Sequence, residues 1–348
     1  IENLMDKKRL EILQSRLKHP LLIKKKENLF YLTGRSFMNG YLLAKKDRVV
    51  FLGDGLEKVE GLHSDILKNV GMYIGRGKTL QVFGEFTYAE VKYLRRKNPK
   101  LKIQILVAHD PVDLQRQIKD EGELKSIAAA MRIGAKVFAA VRTKLKSRSW
   151  TEAQLATEIR RLGHRFGAED VSFPPIVASG TNAAVPHHVP GSKKLRPNES
   201  IILDFGFKYH GYCSDFTRTI FLKSAPSLLA AAYNQVEKAY NAVLDKAKDG
   251  TKVRDLYFLA VRVLDEKKLG KYFIHNLGHG TGLEIHELPN LSPNSKDILR
   301  DGMVFSVEPG VYIPKYGGIR IEDLVYLKSG KLRKFVSVPT DLEENIIS

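Results

Sequence analysis

The sequence has little of what a secreted or membrane-bound chain would use. A single cysteine, Cys213, occurs in 348 residues. No internal disulfide is possible, nothing else calls for oxidising conditions, and a cytoplasmic protein is the expectation. No uncharged apolar run approaches the roughly 18 residues of a membrane span, because Lys, Arg or Glu interrupts each candidate. The opening stretch through His19 is amphipathic and charged, with no apolar core before a cleavage site, so it does not read as a secretory leader. It begins on Ile1 and not on Met, which reads as a trimmed or incomplete start. Low-complexity tracts and short-period repeats are missing, which removes disordered and collagen-like classes. The first hundred residues also lack a Gly-rich phosphate loop.

Charge is unevenly balanced, with basic residues in excess in one half. Over residues 1–150 there are 31 Lys and Arg against 16 Asp and Glu, and over 151–348 there are 26 against 23, within a total of +18. The excess is scattered as IKKKEN, AKKDR and YLRRKNPKLK, without a groove-reading motif or regular aromatic interleaving. A solvated basic face is the reading preferred over a nucleic-acid surface. What is present is ordinary for a water-soluble globular chain: 43% hydrophobic and 28% charged residues, at a length that suggests two domains. We place them at 1–115 and 116–348, with 116–147 as a linking helix.

The first domain reads as a small α/β layer. Residues 6–18 have helical Leu and Ile spacing, and LFYLTG, GYLLAKK and RVVFLGD read as short β-rich runs, the last two flanking a turn at Asp47. TLQVFGE, a helical TYAEVKYLRRK and LKIQILV follow. From Asp120 to Thr143 no Pro occurs, and Leu124, Ile127, Met131, Ile133, Val137 and Val141 mark a long helix with one buried face. Ser149 to Glu152 fits a capping box for the next helix. Two more helices are expected at about 226–248 and 252–268, separated by Gly250. Extended segments occur as VSFPPIVASG, SIILDFGFKYH, GYCSDFTRTIFL, MVFSVEPGVYI, GIRIEDLVYL and KLRKFVSV. The second half is therefore expected to be a curved, largely antiparallel sheet backed by helices, an α+β arrangement.

Five residues there could bind metal: Asp204, Asp215, His279, Glu308 and Glu322. Asp204 follows Ile201-Ile202-Leu203, Glu308 follows Val304-Phe305-Ser306-Val307, and Glu322 follows Ile319-Arg320-Ile321. An ionised carboxylate in such sequence is costly unless compensated, and a cation compensates it. If the hairpin turns between Tyr209 and His210, Asp204 and Asp215 oppose each other directly, a repulsive pair that divalent cations would make attractive. His279 sits in Asn276-Leu-Gly-His-Gly-Thr-Gly282, too Gly-rich for a helix interior, where backbone must approach something closely. Four carboxylates and one imidazole make a hard donor set for Mn2+, Fe2+, Co2+ or Zn2+ in a two-metal hydrolytic centre, unlike a Cys-based structural zinc site.

Taken together, Asp204-Phe-Gly, Ser214-Asp215-Phe-Thr-Arg-Thr, Gly278-His279-Gly-Thr-Gly-Leu-Glu-Ile-His286-Glu, Val307-Glu308-Pro-Gly and Arg320-Ile-Glu322-Asp resemble, in order, the signature of the pita-bread metallopeptidases. The nearest branch is that of the Xaa-Pro dipeptidases (prolidases) and Xaa-Pro aminopeptidases. The resemblance covers residues 120–340, and the basic first half is similar to the creatinase-type N-terminal domain of that branch. It implies that Asp204 chelates one metal, His279 and Glu308 the other, and that Asp215 and Glu322 bridge both. It makes Glu308 the proton shuttle, places His187 against the substrate, and gives His286 an electrostatic role toward the scissile carbonyl. His188 is the ambiguous neighbour of His187. Arg320 is expected to orient a metal carboxylate and to help position substrate.

The function implied is a dinuclear-metal exopeptidase, Mn2+ first among its metals, that cleaves the bond before proline at the amino end of small peptides. Because the proline nitrogen carries no hydrogen, such an enzyme needs a pocket for the ring and not an N–H contact. A dipeptidase is slightly favoured over an aminopeptidase, which must leave the far end of the peptide open. Methionine aminopeptidases lack the extra first domain, and creatinase-like relatives lack the full ligand set. A non-catalytic binding module using the basic face is the alternative of another class. The resemblance further implies a homodimer.

Overall fold

The computed structural model describes residues 6–35, 40–53, 63–75, 78–107, 109–147 and 149–348. The leader reading rests partly on residues 1–5, and the run RVVFLGD ends on Asp54; these lie outside the described residues. The chain divides into two compact units, Ile1–Arg116 and Gln117–Ser348.

The first unit runs α1 (Lys7–Arg16), β1 (Leu21–Ile23), α2 (Lys26–Thr33), β2 (Gly40–Ala44), β3 (Val49–Gly53), α3 (His63–Ile74), β4 (Thr79–Val82), α4 (Tyr88–Lys97), β5 (Lys102–Ile105) and α5 (Pro111–Arg116). Its sheet has the order β3-β2-β1-β4-β5, with β1, β4 and β5 parallel and β2 and β3 antiparallel. Leu22, Leu43, Leu80 and Val82 of the sheet bury against Val70 of α3 and Leu94 of α4. One expectation fails here: LFYLTG is not a strand. Leu29, Tyr31 and Leu32 lie buried in α2, which stops at Gly34 with φ 68°. The aromatic and apolar run has high β-propensity, but burial at Asn28, Leu29, Tyr31 and Leu32 follows the three-to-four spacing of a helix face.

The second unit runs α6 (Glu121–Leu145), α7 (Glu152–Arg165), β6 (Asp170–Val171), β7 (Ile176–Ser179), β8 (Ser200–Asp204), β9 (Phe207–Tyr209), β10 (Tyr212–Cys213) and β11 (Phe216–Leu222). It continues with α8 (Ser227–Lys246), α9 (Val253–Asp265), β12 (His279–Gly280), β13 (Glu287–Asn290), β14 (Val304–Val307), β15 (Gly310–Ile313), β16 (Gly317–Arg320), β17 (Glu322–Lys328), β18 (Lys331–Lys334) and β19 (Ile346–Ile347). The principal sheet follows the path β13-β12-β14-β17-β11-β8-β7, antiparallel along this path, with β18 added to β17 and β19 to β11. Tyr233, Val236 and Tyr240 of α8 and Leu256 and Leu264 of α9 pack with Phe305, Val307 and Val325 into one buried layer beneath it. No helix among the described residues is long and apolar enough to cross a membrane.

Two further expectations are corrected. The helix expected at 116–147 begins at Glu121, where Asp120 caps it and Glu123 closes a capping box, so it belongs wholly to the second unit. The capping box of α7 is made by Thr151 and Gln154, not by Ser149 and Glu152. Glu152 is the first helical residue, fully buried, and has other partners.

Candidate metal centre

Neighbouring strands of the principal sheet bring the candidate ligands together. Asp204 ends β8, Asp215 immediately precedes β11, His279 opens β12, Glu308 follows β14 and Glu322 opens β17. Asp204 and Asp215 do not oppose each other as the hairpin argument expected. His210 and Gly211 both take positive φ, 49° and 77°, and form the two-residue turn themselves. Tyr212 therefore pairs with Tyr209 and Thr217 with Asp204, which shifts the register and leaves Asp215 at the break between β10 and β11.

One ligand atom each from Asp215, His279 and Glu322 lies within 4.8 Å of the others. His279 Nε2 is 3.4 Å from Asp215 Oδ2 and 3.4 Å from Glu308 Oε1. Nδ1 of the same ring lies 3.0 Å from the Gly280 carbonyl oxygen and donates to it, which leaves Nε2 as the atom facing the acids. Metal-binding histidines are held in this way, with the second nitrogen tied to a carbonyl. The glycines around it are obligatory: a Cβ on Gly278 would stand 2.1 Å from the Ser306 carbonyl oxygen, and one on Gly280 2.1 Å from that of Leu288.

The acids are under-neutralised. Asp204 Oδ1 and Glu322 Oε1 are buried and have no hydrogen-bond partner among the described residues. Desolvation, opposed by Arg320 and reinforced by Asp215, lifts Asp204 to about 6. Desolvation and the charges of Asp215, Glu308 and Asp204 push Glu322 well above the carboxylate range. Glu308 rises to about 7 through desolvation, with His279 opposing and Asp215 adding. Burial alone would lower His279, but Asp215 and Glu308 outweigh it and hold the ring at about 9. A cluster that repels itself, with two orphaned buried oxygens and one oriented imidazole nitrogen, fits divalent cations.

The remaining predicted residues surround this cluster. The ring centroid of His286 lies 4.3 Å from that of His279, edge to face. Burial, and next His279, push His286 below its ordinary value, with a smaller contribution from His187. His187 is exposed and makes no side-chain hydrogen bond among the described residues, yet its charge reaches both His275 and His286. His188 faces elsewhere, with Nε2 2.8 Å from Glu152 Oε2. Arg320 donates from Nη2 to Asp204 Oδ2 at 2.5 Å and from Nη1 to the Tyr312 hydroxyl at 2.6 Å.

Three contributors were missed in the sequence. Thr217 accepts from Arg320 Nε at 3.3 Å and donates to Glu322 Oε2 at 2.5 Å. Tyr312, accepting from Arg320, donates to His275 Nε2 at 3.0 Å. Strand alternation could have found Thr217, two residues after Asp215. Nothing in the sequence links Tyr312 to His275.

Known proteins similar to this chain point to one family. The model of metallopeptidase family M24 matches residues 125–329. The Xaa-Pro dipeptidase of Pyrococcus furiosus is 31% identical over 340 residues, covering 92% of this chain and 94% of that protein. A putative Xaa-Pro aminopeptidase of Mycoplasma pneumoniae is 32% identical, covering 92% and 93%. Among solved structures, the Xaa-Pro dipeptidase from Bacillus anthracis matches with a TM-score of 0.89 at 29% identity, covering 97% of this chain and 99% of that one. A pita-bread fold carrying such a cluster defines a divalent-metal peptidase. The chain belongs to metallopeptidase family M24.

Proposed function

We propose that this peptidase is a dinuclear-metal exopeptidase hydrolysing Xaa-Pro bonds at the amino end of short peptides, with Xaa-Pro dipeptides as its first substrate class. The observation that carries the reading is the convergence of Asp215, His279 and Glu322 beside Glu308 and Asp204, with two buried carboxylate oxygens that have no hydrogen-bond partner among the described residues. The relatives named Xaa-Pro dipeptidase, which match nearly the whole chain, support the substrate class.

In this reading Asp204 would hold one ion, His279 and Glu308 the other, and Asp215 and Glu322 both. Divalent ions bound by these residues would supply Lewis acidity toward water and the peptide carbonyl. Glu308 takes the proton of the attacking water and delivers it to the departing proline nitrogen. His286 donates a hydrogen bond to the carbonyl oxygen as negative charge develops on it. His187 contacts the peptide from its exposed turn. Arg320 fixes Asp204 by a charge-assisted bond and helps to orient substrate.

Mn2+ is the first metal we propose, with Co2+, Zn2+ or Fe2+ as alternatives, in a cytoplasmic homodimer whose first unit is a creatinase-type domain. Elemental analysis together with hydrolysis of Ala-Pro tests the core of this reading; a chain that takes up no metal and leaves Ala-Pro intact would sink it. The Mycoplasma pneumoniae relative favours a second reading, an aminopeptidase acting on longer peptides. Turnover of Ala-Pro exceeding that of Ala-Pro-Ala supports the dipeptidase, and the reverse order supports the aminopeptidase.

A further inference from the structure

Glu152 is a fully buried carboxylate at the start of α7, and capping does not explain it, since Thr151 already caps the helix. Its position in the first turn is favourable for an anion, but a buried charge still needs partners for both oxygens. They all come from one segment. Oε1 accepts from the backbone N–H and hydroxyl of Ser179, both at 2.8 Å, and from Asn182 Nδ2 at 3.0 Å. Oε2 accepts from the Gly191 N–H at 3.2 Å and from His188 Nε2 at 2.8 Å. Burial would raise this carboxyl, yet the bonds from His188, Ser179 and Asn182 hold it below its ordinary value.

That segment carries His187. Val185 to His188 form a turn closed by the His188 N–H on the Val185 carbonyl oxygen at 3.2 Å, with Pro186 and His187 at its centre. On the metal side, the turn is met by Arg320 Nη1, 3.5 Å from the Pro186 carbonyl oxygen. On the far side it is tied by His188. His187 stands between these two attachments with its ring free of hydrogen bonds among the described residues.

We propose that Glu152 is a positioning residue which, through His188, fixes the Val185–His188 turn so that His187 is presented to the peptide bound at the metal centre. The inference rests on the reading that His187 contacts substrate. Every group around the carboxylate is a donor, so a Gln at this position must turn its own N–H2 toward N–H groups on one side or the other.

Two arms test it. In the first, amide hydrogen exchange is followed over 179–191 in His188→Ala, whose side chain is partly exposed, and in Glu152→Gln. Exchange of this segment should rise at least about tenfold, as expected for loss of a charge-assisted anchor, while β11 and β17 stay protected. In the second, kcat/KM on Ala-Pro is measured with metal content. His188→Ala should lower kcat/KM on the order of 10- to 100-fold at unchanged metal content, the cost of a small misplacement. In the His187→Ala background it should lower it no further.

Equal losses in both backgrounds would mean that the anchor acts on folding in general and would overturn the proposal, as would unchanged exchange over 179–191. If His187→Ala alone left kcat/KM intact in an enzyme that cleaves Ala-Pro, the positioning role would fall with it. A wild-type chain that cleaves no Ala-Pro indicts the proposed function, and the exchange arm then still reads the anchor.

Discussion

Thr217 and Glu322 face each other across β11 and β17, and the threonine hydroxyl donates to one oxygen of the carboxylate while the other, Oε1, is buried with no hydrogen-bond partner among the described residues. The threonine thus fixes the carboxylate and orients its unused oxygen. Among the described residues no hydrogen bond reaches that oxygen, and Asp215, Glu308 and Asp204 repel the carboxylate. Two opposite outcomes follow for Glu322→Gln. Bound metal and turnover should fall, turnover by about 10³-fold or more, as several kcal/mol of charge stabilisation are lost. The metal-stripped variant should melt higher than the stripped wild type at neutral pH, because an amide needs neither the buried charge nor the proton uptake that Glu322 requires there. Asp215→Asn should reproduce the loss of metal and activity with the circular dichroism spectrum unchanged. Full activity in either variant would contradict the assignment.

The same repulsion sets a pH dependence for the stripped chain. Asp204 at about 6 and Glu308 at about 7 lie above their ordinary values of 3.8 and 4.5. Groups raised on folding contribute stability below their unfolded values and lose it as pH rises through the folded ones. His279, at about 9, extends the loss upward, whereas His275, lowered to about 3 by burial, acts only as pH falls below 6.5. Calorimetry should find the stripped chain's melting temperature falling between about pH 5 and pH 8, with Glu308→Gln flattening the slope and Mn2+ restoring most at the alkaline end. A melting temperature that climbs over that interval, or a slope unchanged by Glu308→Gln, would count against the electrostatic account.

The candidate ligands are legible in the sequence through the order of five motifs and their resemblance to a family; a carboxylate embedded in a run such as Ile201-Ile202-Leu203-Asp204 marks only a group that is costly without a compensating partner. The convergence of the strands was not legible at the level of register. A two-residue turn with left-handed His210 and Gly211 sets Asp204 opposite Thr217 and not Asp215, since moving the turn by one residue shifts every partner by two. Among the described residues the run LFYLTG is helical where a strand is expected, because it is too short for its periodicity to decide. Glu152 was misread because it stands three residues after Ser149 and so mimics a capping box, whereas its partners come from residues 179–191.

His286 touches the cluster through His279 and has no carboxylate partner of its own among the described residues. Its removal should spare the metals and slow the chemistry. For His286→Ala we expect metal content equal to wild type and kcat on Ala-Pro reduced about 10²- to 10³-fold, the scale of one lost oxyanion donor. Release of metal with unchanged turnover per bound ion would reassign the residue to metal binding.

Arg218 is a stability determinant placed directly behind the ligands. It is completely buried, and its five N–H groups donate to the carbonyl oxygens of Pro339, Thr217, Glu322 and Val338 and to Asp323 Oδ1, the last at 2.9 Å. It therefore ties the backbone of Glu322 to the segment around Val338 and Pro339. Removing one member of a buried ion pair costs about 3–5 kcal/mol, because the other is left uncompensated. Arg218→Met should lower the melting temperature by roughly 10 °C or more. Arg218→Lys should rescue little, since an ammonium offers three donors at one point where five are needed in a planar fork. Adding Asp323→Asn to Arg218→Met should cost less than the two single losses combined, because the buried carboxylate left with only the Tyr240 hydroxyl and Lys334 Nζ, 3.3 Å away, is then gone. Additive losses in that cycle would mean that the pair is not energetically coupled and that Arg218 acts through its carbonyl contacts alone.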